Sequence, residues 1–136
     1  MSYDKYIGIP FKHKGRTRQG VDCYGLVSLI LKDKLNLDML EYEYAPKWTL
    51  ENKDIIVTEV NKTKEWVVIR DNYKPLDLIL FYASPARQIV SHIGIYIDAN
   101  KFIHIEEDGK SELTRLNNHW LNRIYKVIRY IGEVRK

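Results

Sequence analysis

Isoleucine recurs at every second position through Ile93, Ile95 and Ile97, and again at Ile103 and Ile105, with the turn-forming run Asp98-Ala99-Asn100 between the two stretches. Such alternation marks a half-buried strand, and two alternating runs joined by a short turn make a β-hairpin. The register matters, because a slip of one residue sends every side chain of a strand to the other face of the sheet. A two-residue turn at Ala99 and Asn100 would pair Asp98 with Lys101 and put His92 and His104 on opposite faces. A three-residue loop, Asp98-Ala99-Asn100, pairs Ile97 with Lys101 and Gly94 with His104 instead. The second arrangement is predicted: Asn tolerates the left-handed conformation that closes such a loop, and the isoleucines then gather on one core face. His92 and His104 become diagonal neighbours on the other face, ~7–8 Å apart at Cα and within reach of each other's rings.

The hairpin belongs to a strand-rich half. Strands are predicted at Leu76 to Tyr82, His92 to Asp98, Lys101 to Glu106, Glu112 to Leu116 and Ile124 to Ile131, where β-branched and aromatic residues dominate between short turns. The N-terminal part reads differently. After a Gly-, Lys- and Arg-rich loop from Lys12 to Gly20, the pairs Leu26 with Ile30 and Val27 with Leu31 predict a helix from Cys23 to Lys34, with Asp22 as its N-cap. Between Leu40 and Tyr73 a weaker helical pattern runs through Ile56, Val60 and Trp66 after the capping residue Thr49. A helix followed by consecutive antiparallel strands is an α+β architecture. The 136 residues suit one domain spanning 1–136, with 45% hydrophobic and 29% charged residues and no repeat or linker to divide it.

Composition narrows the function. Lys and Arg number 22 against 18 Asp and Glu, a formal +4, with Lys5, Lys12, Lys14, Arg16 and Arg18 concentrated near the N-terminus. These residues are not arrayed on one helix, and no zinc-finger, helix-turn-helix or RNA-binding signature accompanies them, so no nucleic-acid partner is expected. No apolar run is long enough to insert in a membrane, and Asp4, Lys5, Lys12 and Lys14 interrupt the stretch a signal peptide would need. The expectation is a chain made in the cytoplasm without an export signal. Cys23 is the single cysteine, which excludes an internal disulfide and a Cys-rich zinc site. A Cys/His/His zinc site lacks a spaced fourth ligand, and no metal or cofactor is expected.

A thiol at the start of a helix meets unpaired N–H groups and the positive end of the helix dipole, which favour thiolate. A fall from ~8.5 to roughly 3.5–7.5 is the expectation for such a cysteine. Gly25 is expected to leave the approach to the sulfur uncrowded. The competing reading is a buried structural cysteine on an apolar helix face, just as the competing reading of His92 and His104 is two half-exposed histidines without a role. His13 reads as a surface residue of the basic loop. His119, ahead of Trp120 in a turn, reads as packing, and Trp48 and Trp66 read as core or rim aromatics.

Five segments taken together carry a resemblance: Gly8-Ile9-Pro10-Phe11, Gly20-Val21-Asp22-Cys23-Tyr24-Gly25-Leu26-Val27, Lys74-Pro75-Leu76-Asp77-Leu78-Ile79-Leu80-Phe81, Ser91-His92-Ile93-Gly94-Ile95-Tyr96-Ile97 and Phe102-Ile103-His104. In order and spacing they resemble the NlpC family of papain-like cysteine peptidases, over about Tyr6 to Ile131. The resemblance implies a papain-like fold in which the nucleophile's helix packs on an antiparallel sheet. It implies hydrolysis of peptidoglycan stem peptides, commonly at the bond between D-γ-glutamate and the following diamino acid. It assigns Cys23 as nucleophile, His92 as general base and His104 as the residue orienting His92, and it sets Asp22, Tyr24, Phe11 and Ser91 around the substrate. Tyr24 stands where the family usually has a small Ser, Phe11 where a Tyr is common, and Lys14-Gly15 where a Gly-Gly pair is usual; these departures bear on substrate choice. An aromatic residue directly after the cysteine resembles phage tail-tip members, which implies tail proteins as partners and a place in the virion tail. A non-catalytic tail-assembly or wall-binding module on the same fold, and acyl transfer to an amine, are the alternatives.

Overall fold

Helix α1, Cys23–Leu35, forms where the apolar pairing predicts it, and both of its ends are closed by sequence-local means. Asp22 is extended and its Oδ1 accepts the Gly25 N–H at 2.7 Å, satisfying one of the donors that a helix start leaves unpaired. At the other end Asn36 takes the left-handed conformation, φ 51°, and its N–H donates back to the Leu31 and Lys32 carbonyls. The computed structural model describes residues 2–39, 65–87 and 89–132. The helical pattern expected at Ile56 and Val60 lies outside them, as does Trp48. Among the described residues no helix is long and apolar enough to cross a membrane.

Ahead of α1 a small hairpin pairs β1, Arg16–Thr17, with β2, Gly20–Val21. Behind it come β3 (Trp66–Ile69), β4 (Leu78–Tyr82), β5 (Val90–Asp98), β6 (Lys101–His104), β7 (Glu112–Arg115), a one-turn helix α2 (Asn118–Leu121) and β8 (Ile124–Tyr130). The last six strands form one antiparallel sheet in the order β3-β8-β4-β5-β6-β7. Trp66 is therefore not helical. It opens β3, pairs with Tyr130 of β8 and meets that ring edge-on at 5.3 Å. The strand expected to begin at Leu76 begins at Leu78, because Leu76 is left-handed, φ 77°, and Asp77 closes a turn by accepting the Lys74 N–H at 2.8 Å.

The central strands of the sheet are buried on both sides. Leu78, Leu80, Ile93, Ile95, Ile97, Ile103, Ile105 and Ile128 meet Leu26, Val27, Ile30 and Leu31 of α1, each buried side chain contributing roughly 1.5–3 kcal/mol. On the reverse, Ile79, Phe81, Tyr96, Phe102 and Val127 pack with Leu116 and Trp120 of the α2 region. Two covered faces explain why β4 reads Leu-Ile-Leu-Phe without alternation.

The hairpin keeps the predicted register by a different device. Its turn has two residues, Ala99 and Asn100, with φ 48° and 64°, and Asp98 pairs with Lys101. An irregularity at Ile97 then restores the offset, so that Tyr96 pairs with Phe102 and Ile95 with Ile103. Both turn residues at positive φ give the tight turn whose twist suits a hairpin, and the bulge returns the isoleucines to the α1 face.

Candidate active site

Cys23, His92 and His104 arrive from α1, β5 and β6. β6 ends at His104, whereas β5 runs nine residues from Val90 to Asp98, so the edge of β5 extends past its neighbour. The start of α1 meets that edge. The Ile93 N–H, next along from His92, is close enough to the Cys23 sulfur to favour its thiolate. A helix packed on one face thus brings its first residue to strand residues whose side chains belong to the other.

The two histidines share that other face. His92 Nε2 and His104 Nδ1 lie 2.8 Å apart, a direct ring-to-ring hydrogen bond. Aromatic residues wall them in: Phe81 sits 5.7 Å from His92, Phe102 4.5 Å from His104, and Trp120 5.6 Å and 4.8 Å from the two in turn. Arg123 lies with its guanidinium 4.8 Å over the Trp120 ring, and donates to the Tyr82 and Ala83 carbonyls at 3.1 Å and 2.9 Å. Burial lowers the His92 pKa well below the ordinary imidazole value, with charge on His104 and then Arg123 pushing the same way. Burial, then Arg123, brings His104 down to about 4. Both rings are neutral at neutral pH.

Cys23 departs from expectation. Burial pushes its thiol up to about 12 and the adjacent Asp22 carboxylate adds to the rise, while the N–H groups of Ile93, Tyr24 and Cys23 itself oppose them without prevailing. The helix start does pull toward thiolate, but the sulfur's residue is only 6% exposed and desolvation of the anion is the larger effect. Gly25 also differs from its predicted role. A Cβ there would lie 1.9 Å from the Gly15 carbonyl oxygen and 2.8 Å from Arg16 Nη1, so this glycine lets the β1-β2 hairpin close on the first turn of α1.

The remaining site candidates lie around that hairpin and the ends of the strands. Asp22 spends both oxygens internally: Oδ1 on Gly25 and on Arg16 Nη1 at 3.2 Å, Oδ2 on the Lys14 N–H at 2.9 Å. Tyr24 is 1% exposed, its ring beneath the Arg16 guanidinium at 5.6 Å. Phe11 is half-buried and bridges to Val21, and Ser91 is half-buried beside His92 in β5. His13 is half-buried in the basic loop, and His119 is exposed on α2, where its Nε2 meets Arg123 Nη1 at 3.1 Å. Sequence reading missed Trp120 and Arg123 as neighbours of the histidines, and it missed β7 altogether as a contributor. Glu112 stands opposite His104 in the β6-β7 register, and Thr114 stands opposite Phe102. His104 Nε2 is 2.9 Å from Thr114 Oγ1, whose hydroxyl donates to Glu112 Oε1 at 3.3 Å. The alternation of Glu112 and Thr114 on one strand face was the available signal.

Comparison with known proteins finds the chain similar to members of one family. The murein DD-endopeptidase MepS/murein LD-carboxypeptidase of Escherichia coli K12 is 26% identical over 129 residues, covering 95% of this chain and 59% of that protein. The gamma-DL-glutamyl hydrolase of Bacillus subtilis 168 is 26% identical over 129 residues, covering 93% of this chain and 27% of that protein. The chain thus spans less than two thirds of either relative. The structure of NlpC2 from Trichomonas vaginalis superposes with a TM-score of 0.68 at 19% identity, over 93% of this chain and 44% of that one, which shows a shared fold. The NlpC/P60 family model matches residues 8–129, a span that takes in α1, the whole of β4 to β7 and all but the end of β8. On that match the chain belongs to the NlpC/P60 family.

Proposed function

We propose that the chain is a cysteine endopeptidase of peptidoglycan stem peptides that cleaves the bond between D-γ-glutamate and the diamino acid, with Cys23 as nucleophile, His92 as general base and His104 as its orienting partner. The observation that carries the reading is the 2.8 Å bond between His92 Nε2 and His104 Nδ1, one residue along β5 from the Ile93 amide that favours the Cys23 thiolate. The names of the relatives, a murein endopeptidase and a gamma-DL-glutamyl hydrolase, support the substrate class.

In this mechanism the resting site holds a neutral thiol and a neutral imidazole. His92 Nδ1 takes the thiol proton as the sulfur attacks the γ-carbonyl carbon, so the charged pair forms with the new C–S bond. The backbone N–H of Cys23 donates to the oxyanion, an interaction worth roughly 2.7–4 kcal/mol where it has been removed elsewhere. The tetrahedral species collapses, the imidazolium protonates the leaving amine, and a thioester remains. Water, deprotonated by His92, then releases the glutamyl carboxylate and the thiol. Tyr24 after the cysteine supports a setting in a phage tail.

The test is mass spectrometry of defined muropeptides incubated with the protein. A product pair split between D-γ-glutamate and the diamino acid is expected, and Cys23→Ala should give none while remaining folded. An alanine variant that digests sacculi at the wild-type rate would overturn the assignment. The burial of the sulfur favours a second reading, a wall-binding or tail-assembly module without turnover; binding to sacculi with no new muropeptide would select it.

A further inference from the structure

We infer that Thr114 and Glu112 are positioning residues that fix the proton polarity of the His92-His104 pair and so leave the accepting lone pair on His92 Nδ1. The inference deepens the proposed function and rests on it for its catalytic meaning, though its structural part can be read independently.

The chain of contacts runs outward from β5 to the sheet edge. His92 Nε2 meets His104 Nδ1 at 2.8 Å, His104 Nε2 meets Thr114 Oγ1 at 2.9 Å, and Thr114 Oγ1 meets Glu112 Oε1 at 3.3 Å. Each neutral imidazole has one N–H and one lone pair, and a hydroxyl has one proton, so the sense of one bond dictates the next. An ionised carboxylate only accepts. The Thr114 hydroxyl therefore donates to Glu112, and its oxygen accepts from His104 Nε2–H. His104 Nδ1 is then the acceptor, His92 Nε2–H its donor, and His92 Nδ1 is left bare.

The opposite sense meets a specific penalty. It would turn the lone pair of His104 Nε2 toward both Thr114 and Glu112 Oε1, which stands 3.5 Å from that nitrogen. Two acceptors would then face each other at the mouth of a buried ring. It would also put the His92 proton on Nδ1, where the ring could no longer receive one from a thiol. Strand pairing fixes the geometry, since His104 lies directly across from Glu112 and Phe102 across from Thr114. The Phe102 and Trp120 rings pack at 4.5 Å and 4.8 Å from His104, which holds its plane.

Electrostatics agree. Burial keeps both rings neutral, and Arg123, the cation nearest them on the α2 side, disfavours a proton on either. Glu112 is 59% exposed, so its effect is one of hydrogen-bond sense more than of charge.

The experiment is a long-range proton-nitrogen correlation spectrum of the full chain with 15N-labelled histidine, recorded at neutral pH. In the wild type His92 and His104 should each show a protonated Nε2 and a bare Nδ1; a protonated Nδ1 on His92 would overturn the inference, whatever the protein hydrolyses. Thr114→Val should mix or reverse the two tautomers and lower kcat on a muropeptide about 10- to 100-fold with KM little changed, the range known for groups that orient metal-binding histidines. Thr114→Ser should restore both. An unchanged tautomer pattern in Thr114→Val would also overturn it, and Glu112→Gln with Thr114→Ser keeps the test in hand if the valine variant does not fold. Should Cys23→Ala hydrolyse normally while these spectra behave as expected, the catalytic reading fails and the positioning network stands.

Discussion

Arg129 grips Asp77 through two hydrogen bonds of 2.8 Å, from Nε to Oδ1 and from Nη2 to Oδ2. Asp77 is fully buried, and the same arginine reaches the Asn72 carbonyl at 3.1 Å, so one ion pair ties β8 to the turn that leads into β4. Replacing Arg129 with Met keeps an apolar stem but strands a carboxylate away from water. Breaking a buried pair this way costs about 3 kcal/mol or more, and neutralising both members costs less than removing one. The urea midpoint should fall for Arg129→Met and recover in part when Asp77→Asn is added. A midpoint equal to wild type in the single variant would show that the pair contributes nothing net.

How far the sequence carried the fold depended on the range of the interactions involved. α1 was legible because its cap, Asp22, its apolar pairs and its left-handed stop at Asn36 all lie within the segment. The hairpin register was legible because misplacing the isoleucines would expose them, yet the turn was not, since a two-residue turn with a bulge and a three-residue loop give the same pairing of Ile95 with Ile103. The start of β4 was set by the left-handed Leu76 and the Asp77 turn, and the partner that holds the Asp77 carboxylate, half-buried Arg129, lies 52 residues away where no local pattern reveals it. At the site, pairing of His92 with His104 followed from the isoleucine alternation together with the left-handed tolerance of Asn100. The thiol's environment did not, because desolvation by the surrounding chain is a tertiary effect that outweighs the local helix start. Thr114 and Glu112 needed the register of β7, which the sequence left open.

Acid should unfold this protein earlier than its carboxylates alone would cause. The unfolded chain takes up protons on histidine below about pH 6.5, whereas folded His104 resists until about 4 and folded His92 is depressed in the same direction. The unfolded state therefore binds more protons between those values, and stability present above the unfolded pKa is lost as pH falls through that window. For His104 alone the loss by about pH 5 is on the order of 2 kcal/mol. Urea midpoints measured at neutral and mildly acidic pH should show this slope, and a His92→Gln, His104→Gln double variant should flatten it. A wild type equally stable at both pH values would contradict the burial of neutral rings.

Thiol reactivity should be low in the resting protein. With Cys23 pushed up to about 12, chiefly by burial and then by Asp22, little thiolate is present near neutrality. Iodoacetamide should modify the native chain roughly tenfold or more slowly than the urea-unfolded chain at the same pH, because the thiolate is the reacting species. Asp22→Asn removes the negative neighbour, keeps an N-cap acceptor and should raise the native rate. Rapid alkylation of the wild type below neutral pH would instead mean that a thiolate-imidazolium pair already exists before substrate arrives.

Gly94 sits on the ring-bearing face of β5, between His92 and Tyr96, where every other inward residue is large. A methyl group there would lie 2.8 Å from Cδ2 of Phe102, 3.2 Å from the Ile103 carbonyl oxygen and 3.3 Å from Cβ of His104. Phe102 has little room to withdraw, since it packs at 5.3 Å on Phe81 and 5.5 Å on Trp120, and a strand carbonyl cannot turn aside. Gly94→Ala should therefore destabilise the fold by about 1–3 kcal/mol, the usual range for overpacking a core. The displaced ring is the one stacked on His104, so the His92-His104 bond should loosen as well. Muropeptide turnover, measured where the variant is still fully folded, should drop further than stability predicts, and adding Phe102→Leu should recover stability more than turnover. If Gly94→Ala matches the wild type in both, the close approach of β5 to the Phe102 ring is not what sets the spacing of the two imidazoles.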